Sequence, residues 1–356
     1  MKVLILAPAP LSISPSQRFR YEHYINDPAI PSDLHFEHRS FFSYKAWAIL
    51  FKKGYLLKKT AGVIAGLIRN LFILFTLNKY DAVYVHRGIT PIGPPVFEWM
   101  IVRLFRKNLI FDFDDAIWVR SASVANPLVA GLKWHSKVKR ICGYSTIVSV
   151  GNAYLAEFAK KYCNDVRIIP TVVDTEKYHN QTKIHGSEKV VIGWTGTFTN
   201  FGNLELILPV IRRLQEKYDF TFKIIADKDP GYTDLQYEYS PWKYETEIED
   251  LLTFSIGIMP LKNEEMENGK CAFKAIQYMS LGIPAVVSPV GANISLVQDG
   301  INGYLADSYE DWEALLEKLM MSPDLRNKIG AEARKHIEQE YSVKATLLPF
   351  CNLFKA

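Results

Sequence analysis

Four cysteines in 356 residues are too few and too scattered for a disulfide framework. Cys142, Cys163, Cys271 and Cys351 show no paired spacing, so they suggest no zinc site either and fit a reducing compartment. Long hydrophobic runs are also missing. In the most apolar stretch, 45–79, uncharged runs such as Thr60–Ile68 fall far short of the ~20 residues that span a bilayer. At the N-terminus, MKVLILAPAP is interrupted by prolines and no small-residue cleavage site follows, so it reads as a buried strand rather than a signal peptide. Charge is mild: a net +4 gives no electrostatic case for nucleic acid. One local absence is more pointed. Residues 45–79 contain no acid, yet carry Lys45, Lys52, Lys53, Lys58, Lys59, Arg69 and Lys79. Two readings stand side by side: a membrane-surface helix with its bases toward anionic headgroups, or a pair of amphipathic helices packed on a sheet.

What is present is an alternation of strand-like and helix-like segments. With 48% hydrophobic residues the chain can bury two cores of ordinary size. VLILAP (3–8), DAVYVHR (81–87), LIFDFDD (109–115), STIVSV (145–150) and VRIIP (166–170) read as near-continuous apolar strands. The polar, turn-rich stretch 173–189 is the best linker. The pattern then restarts with VVIGWTG (190–196), FTFKIIA (220–226), SIGIMPL (255–261), AVVSPV (285–290) and GYLA (303–306). Near-continuous apolar strands separated by helices predict parallel sheets covered on both faces. The fold class expected is therefore α/β, with two doubly wound, Rossmann-like domains facing a central cleft. Their expected bounds are 1–172 and 190–340, followed by a C-terminal helix, 341–356, that crosses back. Pro209 inside the helical segment 204–218 predicts a kink or a shortened helix.

Residues 268–284, NGKCAFKAIQYMSLGIP, raise a specific question. A helix N-terminus is already partly positive, so lysines there call for an anion. At about 100° per residue, Lys270, Lys274 and Gln277 share one helix face, with Ala272, Phe273, Ile276 and Met279 opposite. Gly269 lets backbone approach a ligand, and free amides beside two lysines make a candidate pyrophosphate site. Gln277, one turn deeper, can hydrogen-bond a hydroxyl. The alternative is a solvated lysine face.

In the N-terminal half, Ser12, Ser14 and Ser16 crowd the loop after the first strand, and Arg18 and Arg20 open the next helix, where anions bind. The two arginines either hold an acceptor phosphate or donor diphosphate, or pair with surface acids. Asp112-Phe113-Asp114 matches a metal-binding D-x-D pattern. The preferred reading puts Asp114 or Asp115 against the acceptor as hydrogen-bond partner or base, with helix capping as the bland alternative. His86 and Arg87 end the preceding strand on the same side of the sheet.

Several of these segments together resemble glycosyltransferase family 4, with the GT-B architecture. IGIMPL…NGKCAFKAIQYMSLGIPAVVSPVGAN…DGINGYLA looks like its donor-binding region, and VVIGWTGTFTNFGNLELI like its phosphate loop. IIPTVVDTEKY resembles the linker, and SQRFRYEHY and FDFDDAIW resemble a bacterial surface-glycan branch. The resemblance implies a retaining transfer from a UDP- or GDP-sugar to a glycan or lipid-linked acceptor, with no required metal or other cofactor. It also implies an N-terminal acceptor domain and a C-terminal donor domain. The expected setting is cytoplasmic, with a route to the inner face of the cell membrane through 45–79. The family's two acids, spaced E-x7-E, fall on Gly269 and Gln277, so both are lost here. Glu267 is close enough in sequence to substitute for the first. The basic pair of the phosphate loop is missing too, leaving Gly196, Thr197, Thr199 and Asn200, and Lys270 and Lys274 are expected to supply that charge. Gly291, Ala292 and Asn293 are expected near the donor sugar or phosphates. A nucleotide-sugar epimerase and a non-catalytic nucleotide-sugar-binding subunit are the rival readings.

Overall fold

The computed structural model describes residues 1–52, 54–119 and 134–355. It divides into two compact units, Met1–Thr171 with Thr346–Ala356, and Val172–Ala345. Lys53, one of the bases in 45–79, lies outside the described residues.

The first unit is built on a six-stranded parallel sheet in the order β2-β1-β3-β4-β5-β6. Its strands are β1 (Lys2–Ala7), β2 (His35–Ser40), β3 (Ala82–His86), β4 (Asn108–Phe113), β5 (Ile147–Val150) and β6 (Val166–Ile168). Val3, Leu4, Ile5, Val83, Val85, Leu109, Phe111 and Val148 are buried, as expected of strands covered on both faces. Strand register pairs His86 on β3 with Asp112 on β4, and Asp112 with Ser149 on β5, so three polar side chains meet near the carboxyl end of the sheet. The last helix, Val343–Asn352, contributes Phe350, whose ring stacks on Tyr24 at 4.2 Å.

The basic segment forms two helices, Tyr44–Leu50 and Leu56–Leu74. The second packs by one side only. Gly66, Asn70 and Leu74 are buried, and Arg69 donates to the carbonyls of Ser40 and Phe41. Its other side leaves Leu57 85% and Phe72 66% exposed, with Ile64, Ile68 and Leu71 between them. Among the described residues, no helix is long and apolar enough to cross a membrane.

The second unit repeats the plan in the order β12-β11-β10-β7-β8-β9. Here the strands are β7 (Val191–Gly196), β8 (Thr221–Ala226), β9 (Glu238–Pro241), β10 (Ile256–Met259), β11 (Ala285–Val287) and β12 (Tyr304–Leu305). Ile192, Trp194, Ile211, Leu214, Ile224, Ile258 and Leu316 sit in its core. The expected helix 204–218 is broken into Phe201–Leu204 and Leu208–Lys217, with Pro209 in the first turn of the second. There its missing N–H leaves no bond unmade.

Two strands, β2 and β9, were not expected. Both are edge strands, and their sequences, HFEHRS and EYSP, lack an apolar run. An edge strand has one unpaired side and can stay polar without cost to the core.

Candidate functional site

In an open parallel sheet, ligands bind beyond the carboxyl ends of the strands, where the strand order reverses. In the second unit the order reverses between β7 and β10. Gly196 ends β7, Thr197, Thr199 and Asn200 follow it, and the segment from Leu261 to Lys274 follows β10. The two are joined. Asn200 Oδ1 accepts from Lys270 Nζ at 2.8 Å. Glu267 Oε1 accepts from Asn203 Nδ2 at 3.1 Å and lies 3.4 Å from Lys270 Nζ. Asn203 Oδ1 in turn accepts from the Lys262 amide at 3.0 Å. Thr197 and Thr199 share a hydroxyl contact of 2.8 Å at the exposed tip.

The expected helix over 270–281 starts later. It runs Phe273–Ser280, after Ala272 in the left-handed region at φ 55. Lys270 therefore precedes the helix, and the single face expected for Lys270, Lys274 and Gln277 does not exist. The turn at Ala272 brings Lys270 to Asn200 by another route. Lys274, in the first turn, places its ammonium 5.6 Å from the centre of the buried Trp194 ring. Ala272, Ile276 and Met279 are buried as expected. Gly269 has an ordinary helical φ of −74, so its conformation is open to any residue.

Gly196 has a steric reason to be glycine. A Cβ there would meet Trp194 at 2.5 Å and Lys274 Cε at 3.0 Å. After β11, Gly291 at φ 55 lies against the chain at Asn268, whose Oδ1 accepts from its amide at 3.2 Å. Ala292 is half-buried beside it, and Asn293 is buried, donating to the Ser288 carbonyl at 2.9 Å. Three buried polar atoms here find no hydrogen-bond partner among the described residues: Gln277 Nε2, Glu267 Oε2 and Asn293 Oδ1. A buried polar atom left unpaired costs about 1–3 kcal/mol.

The first unit treats its polar residues differently. Its strand order reverses between β1 and β3. Arg20 is buried and forms an ion pair with Asp112, and its guanidinium also donates to the Ile169 carbonyl and to Ser149. It is thus committed to the sheet and presents no anion site, contrary to the expectation. Arg18 is likewise buried, stacked on Phe19. Asp112 is fully buried between Arg20 and His86, so the paired D-x-D carboxylates do not face one ligand. Burial alone would raise the Asp112 carboxyl, but Arg20 and His86 outweigh it and hold it well below the usual carboxylate range. Asp114 lies beyond the strand end, bonded by Ser16 at 2.7 Å and Arg87 at 2.7 Å. Its burial is outweighed by Arg87, His86 and Arg20, which lower it. Asp115 sits 3.6 Å from Arg87 and is one-third exposed.

Backbone strain concentrates at these loops. Ser12, Arg87 and Ala272 have φ of 64, 58 and 55, three of the five non-glycine residues with positive φ among the described residues. Sequence reasoning missed Trp194, Asn203 and Asn268. Asn203 lies three residues beyond Asn200, one helical turn away, and that spacing was the available signal. Trp194 inside a strand gave none.

Residues 189–321 match the model of the family described as "Glycosyl transferases group 1". The capsular polysaccharide biosynthesis glycosyltransferase CapM of Staphylococcus aureus is 20% identical over 295 residues, covering 78% of this chain and 70% of CapM. HepE of Anabaena, solved in complex with UDP, superposes with a TM-score of 0.67 at 13% identity over 100% of both chains. Sucrose-phosphate synthase of Thermosynechococcus elongatus gives 0.65 at 11% identity, over 99% of this chain and 98% of that one.

Proposed function

The chain is a glycosyltransferase of the group 1 type on a GT-B fold, and from that premise we propose that it moves a sugar from a UDP-sugar to a glycan or lipid-linked acceptor in surface polysaccharide synthesis. Retention of anomeric configuration and independence of metal are part of the proposal. The observation that carries it is three buried atoms without a partner among the described residues, on the segments that follow β10 and β11: Gln277 Nε2, Glu267 Oε2 and Asn293 Oδ1. Such atoms await partners, and a nucleoside diphosphate sugar brings hydroxyls that can both donate and accept. Gln277 stands at the second position of the lost acid pair and takes the ribose. Glu267 supplies the acid that Gly269 cannot. Lys270 and Lys274, with the hydroxyls of Thr197 and Thr199, hold the diphosphate and stabilise it as the glycosidic bond breaks. UDP is favoured because HepE, with the same fold, has been solved with it. CapM's role in capsular polysaccharide favours a surface glycan. In the first unit, Asp114, Asp115 and Arg87 receive the acceptor.

Thermal unfolding with UDP-, GDP-, ADP- and CMP-sugars, in EDTA, tests the donor half. A ligand at ~100 times its dissociation constant adds about 2.7 kcal/mol. UDP-sugars are expected to stabilise the wild type without metal and to fail on a Lys270→Ala/Lys274→Ala variant. Stabilisation that needs metal, or that survives loss of both lysines, overturns the assignment.

Membrane contact rests on the exposed side of Leu56–Leu74. Leu57, Ile64, Ile68, Leu71 and Phe72, with Phe51 at 81% and Phe75 at 74% exposure, form the apolar face. No acid in 45–79 opposes anionic lipid, and each base near the surface adds about 1 kcal/mol. The chain is expected to sediment with phosphatidylglycerol vesicles, but not with phosphatidylcholine alone. Leu57→Glu/Phe72→Glu is expected to abolish that binding, and sedimentation unchanged by it overturns the contact.

A further inference from the structure

Charge is divided unevenly along this chain. Residues 1–171 carry 23 lysines and arginines against 11 acids, and residues 172–356 carry 19 against 27. The net +4 thus conceals one half at +12 and another at −8. Within the first half the acids are segregated as well. Between 45 and 111 stand only Asp81 and Glu98, and between 116 and 156 there is none. Glu98 is buried, and Asp81, just before β3, accepts from the Lys2 amide at 2.7 Å.

Topology brings these acid-poor stretches side by side. The connections from β2 to β3, β3 to β4 and β4 to β5 all step across the sheet in one direction. Parallel crossovers are right-handed, so their helices fall on one face of the sheet. The helices are Leu56–Leu74, Val96–Arg103 and Lys137–Tyr144, and the second packs against both of the others. Val96–Arg103 turns Glu98 and Ile101 inward. It leaves Val96, Trp99 and Arg103 exposed, with Leu104 and Arg106 exposed just beyond its end. Lys137–Tyr144 buries Val138 and Ile141 and exposes Lys139 and Arg140. Arg103, Arg106, Lys139 and Arg140 have no carboxylate partner among the described residues. The three helices present one outward surface that mixes such bases with apolar side chains and carries no outward acid.

We propose that this whole layer, and not Leu56–Leu74 alone, docks on an anionic bilayer, so that the first sheet lies flat on the membrane. Complementary charge names the partner. An anionic polymer would meet the bases but leave Phe72, Phe75, Trp99 and Leu104 in water. A bilayer takes both, with bases at the headgroups and apolar and aromatic side chains at the acyl boundary. With the layer down, the strand axes run parallel to the membrane. The carboxyl ends that carry Arg87, Asp114 and Asp115 then open along the surface, about one helix diameter (~10 Å) above it. That placement suits an acceptor whose polar head stands on a lipid. The proposal rests on the membrane contact read for Leu56–Leu74 and extends it to two further helices.

The four native cysteines are buried, so one added at an exposed position can be labelled selectively. An environment-sensitive fluorophore is attached to the full chain at Leu57→Cys, Leu104→Cys or Lys139→Cys. Each protein is mixed with vesicles of phosphatidylglycerol and phosphatidylcholine in equal parts. A blue shift is expected at all three positions. Arg103→Gln/Lys139→Gln/Arg140→Gln removes three bases, each worth about five-fold near the surface, so vesicle affinity should fall about 100-fold at low salt. These side chains are exposed, so the thermal midpoint should stay in place. A shift at Leu57 without one at Leu104 and Lys139, or an affinity unmoved by the triple variant, overturns the flat layer while the one-helix contact stands. No shift at any position overturns both. Soluble polyphosphate tests for a polymer partner. If it binds as tightly as the vesicles, and Leu104→Ser leaves vesicle affinity unchanged, the lipid assignment is overturned.

Discussion

The two sheets of this chain end in loops built from similar polar residues, but they treat those residues in opposite ways. In the first unit, Arg20, Asp112, His86, Ser16, Asp114 and Arg87 satisfy one another. In the second, Lys270, Asn200, Asn203 and Glu267 are linked, yet Gln277, Glu267 and Asn293 each keep an unpaired buried atom. A satisfied network is rigid and changes little when a ligand arrives. A partly satisfied one carries a standing penalty that a ligand can relieve. The difference separates a network with open polar atoms in the second unit from one whose six members pair with one another in the first.

The strongest way to break this comparison is to remove a member of the satisfied set. Asp112→Ala leaves Arg20 buried without its partner, which costs ~3–5 kcal/mol. Urea denaturation followed by signals from the first unit should show the loss, while the second unit's transition stays in place. pH gives the same information. The folded Asp112 carboxyl lies below its unfolded value of ~3.9, so its stabilisation is present above that pH and is lost as pH falls further. The wild type should lose first-unit stability on acidification below ~4, and the variant should lose less. An equal acid response in both would break the assignment.

Next in size is Gly196→Ala in the second unit. The new methyl would press on the Trp194 ring at 2.5 Å, and Trp194 is 1% exposed and cannot swing away. Overpacking of this kind costs ~1–3 kcal/mol. Calorimetry should show it in the second unit's transition. Nucleotide affinity should fall with it, because the loop of Thr197 to Asn200 begins at that residue.

How far the sequence foretold these two regions can be read from particular elements. Ten of the twelve strands among the described residues lie where an apolar run stood, and the eight interior ones had to be apolar because both their faces are covered. The missed pair, β2 and β9, are edge strands free of that demand. At the site, the residues after β7, β10 and β11 were legible from glycine, hydroxyl and lysine content at strand ends. Which charges would be exposed was not legible. Arg20 looked available because a helix start attracts anions, but its partner Asp112 is 92 residues away and meets it only through sheet register. Lys270 failed as a helical residue for a smaller reason: Ala272 takes a left-handed φ that alanine rarely adopts, and no local signal announces it.

A third prediction sharpens the comparison without disturbing the fold. Gln277 is 2% exposed and its Nε2 lacks a partner among the described residues. Gln277→Met keeps the shape and removes the unsatisfied group, so the free protein should be unchanged or up to ~1 kcal/mol more stable. Nucleotide affinity should drop about ten-fold. Thermal unfolding with and without UDP-sugar separates the two effects. Destabilisation of the free protein would mean that the amide is bonded at rest and that this network is closed like the six-residue one in the first unit.

The smallest effect is expected at the tip of the same site. Thr199 is exposed, and among the described residues its hydroxyl meets only that of Thr197, at 2.8 Å. Water can replace that contact, so Thr199→Ala should leave stability within ~0.5 kcal/mol. Ser16→Ala in the first unit removes a chemically similar hydroxyl, but one held between a ring and a carboxylate. Two hydroxyl deletions thus compare the regions directly. Thr199→Ala should act only on nucleotide affinity, by a few-fold at most, since a neutral hydrogen bond is worth ~0.5–1.5 kcal/mol. Ser16→Ala should act with no nucleotide present, because it removes one contact from Asp114 and one from His86. If both substitutions behave alike in the free protein, the distinction between a satisfied frame and a waiting site fails at the level of single hydroxyls.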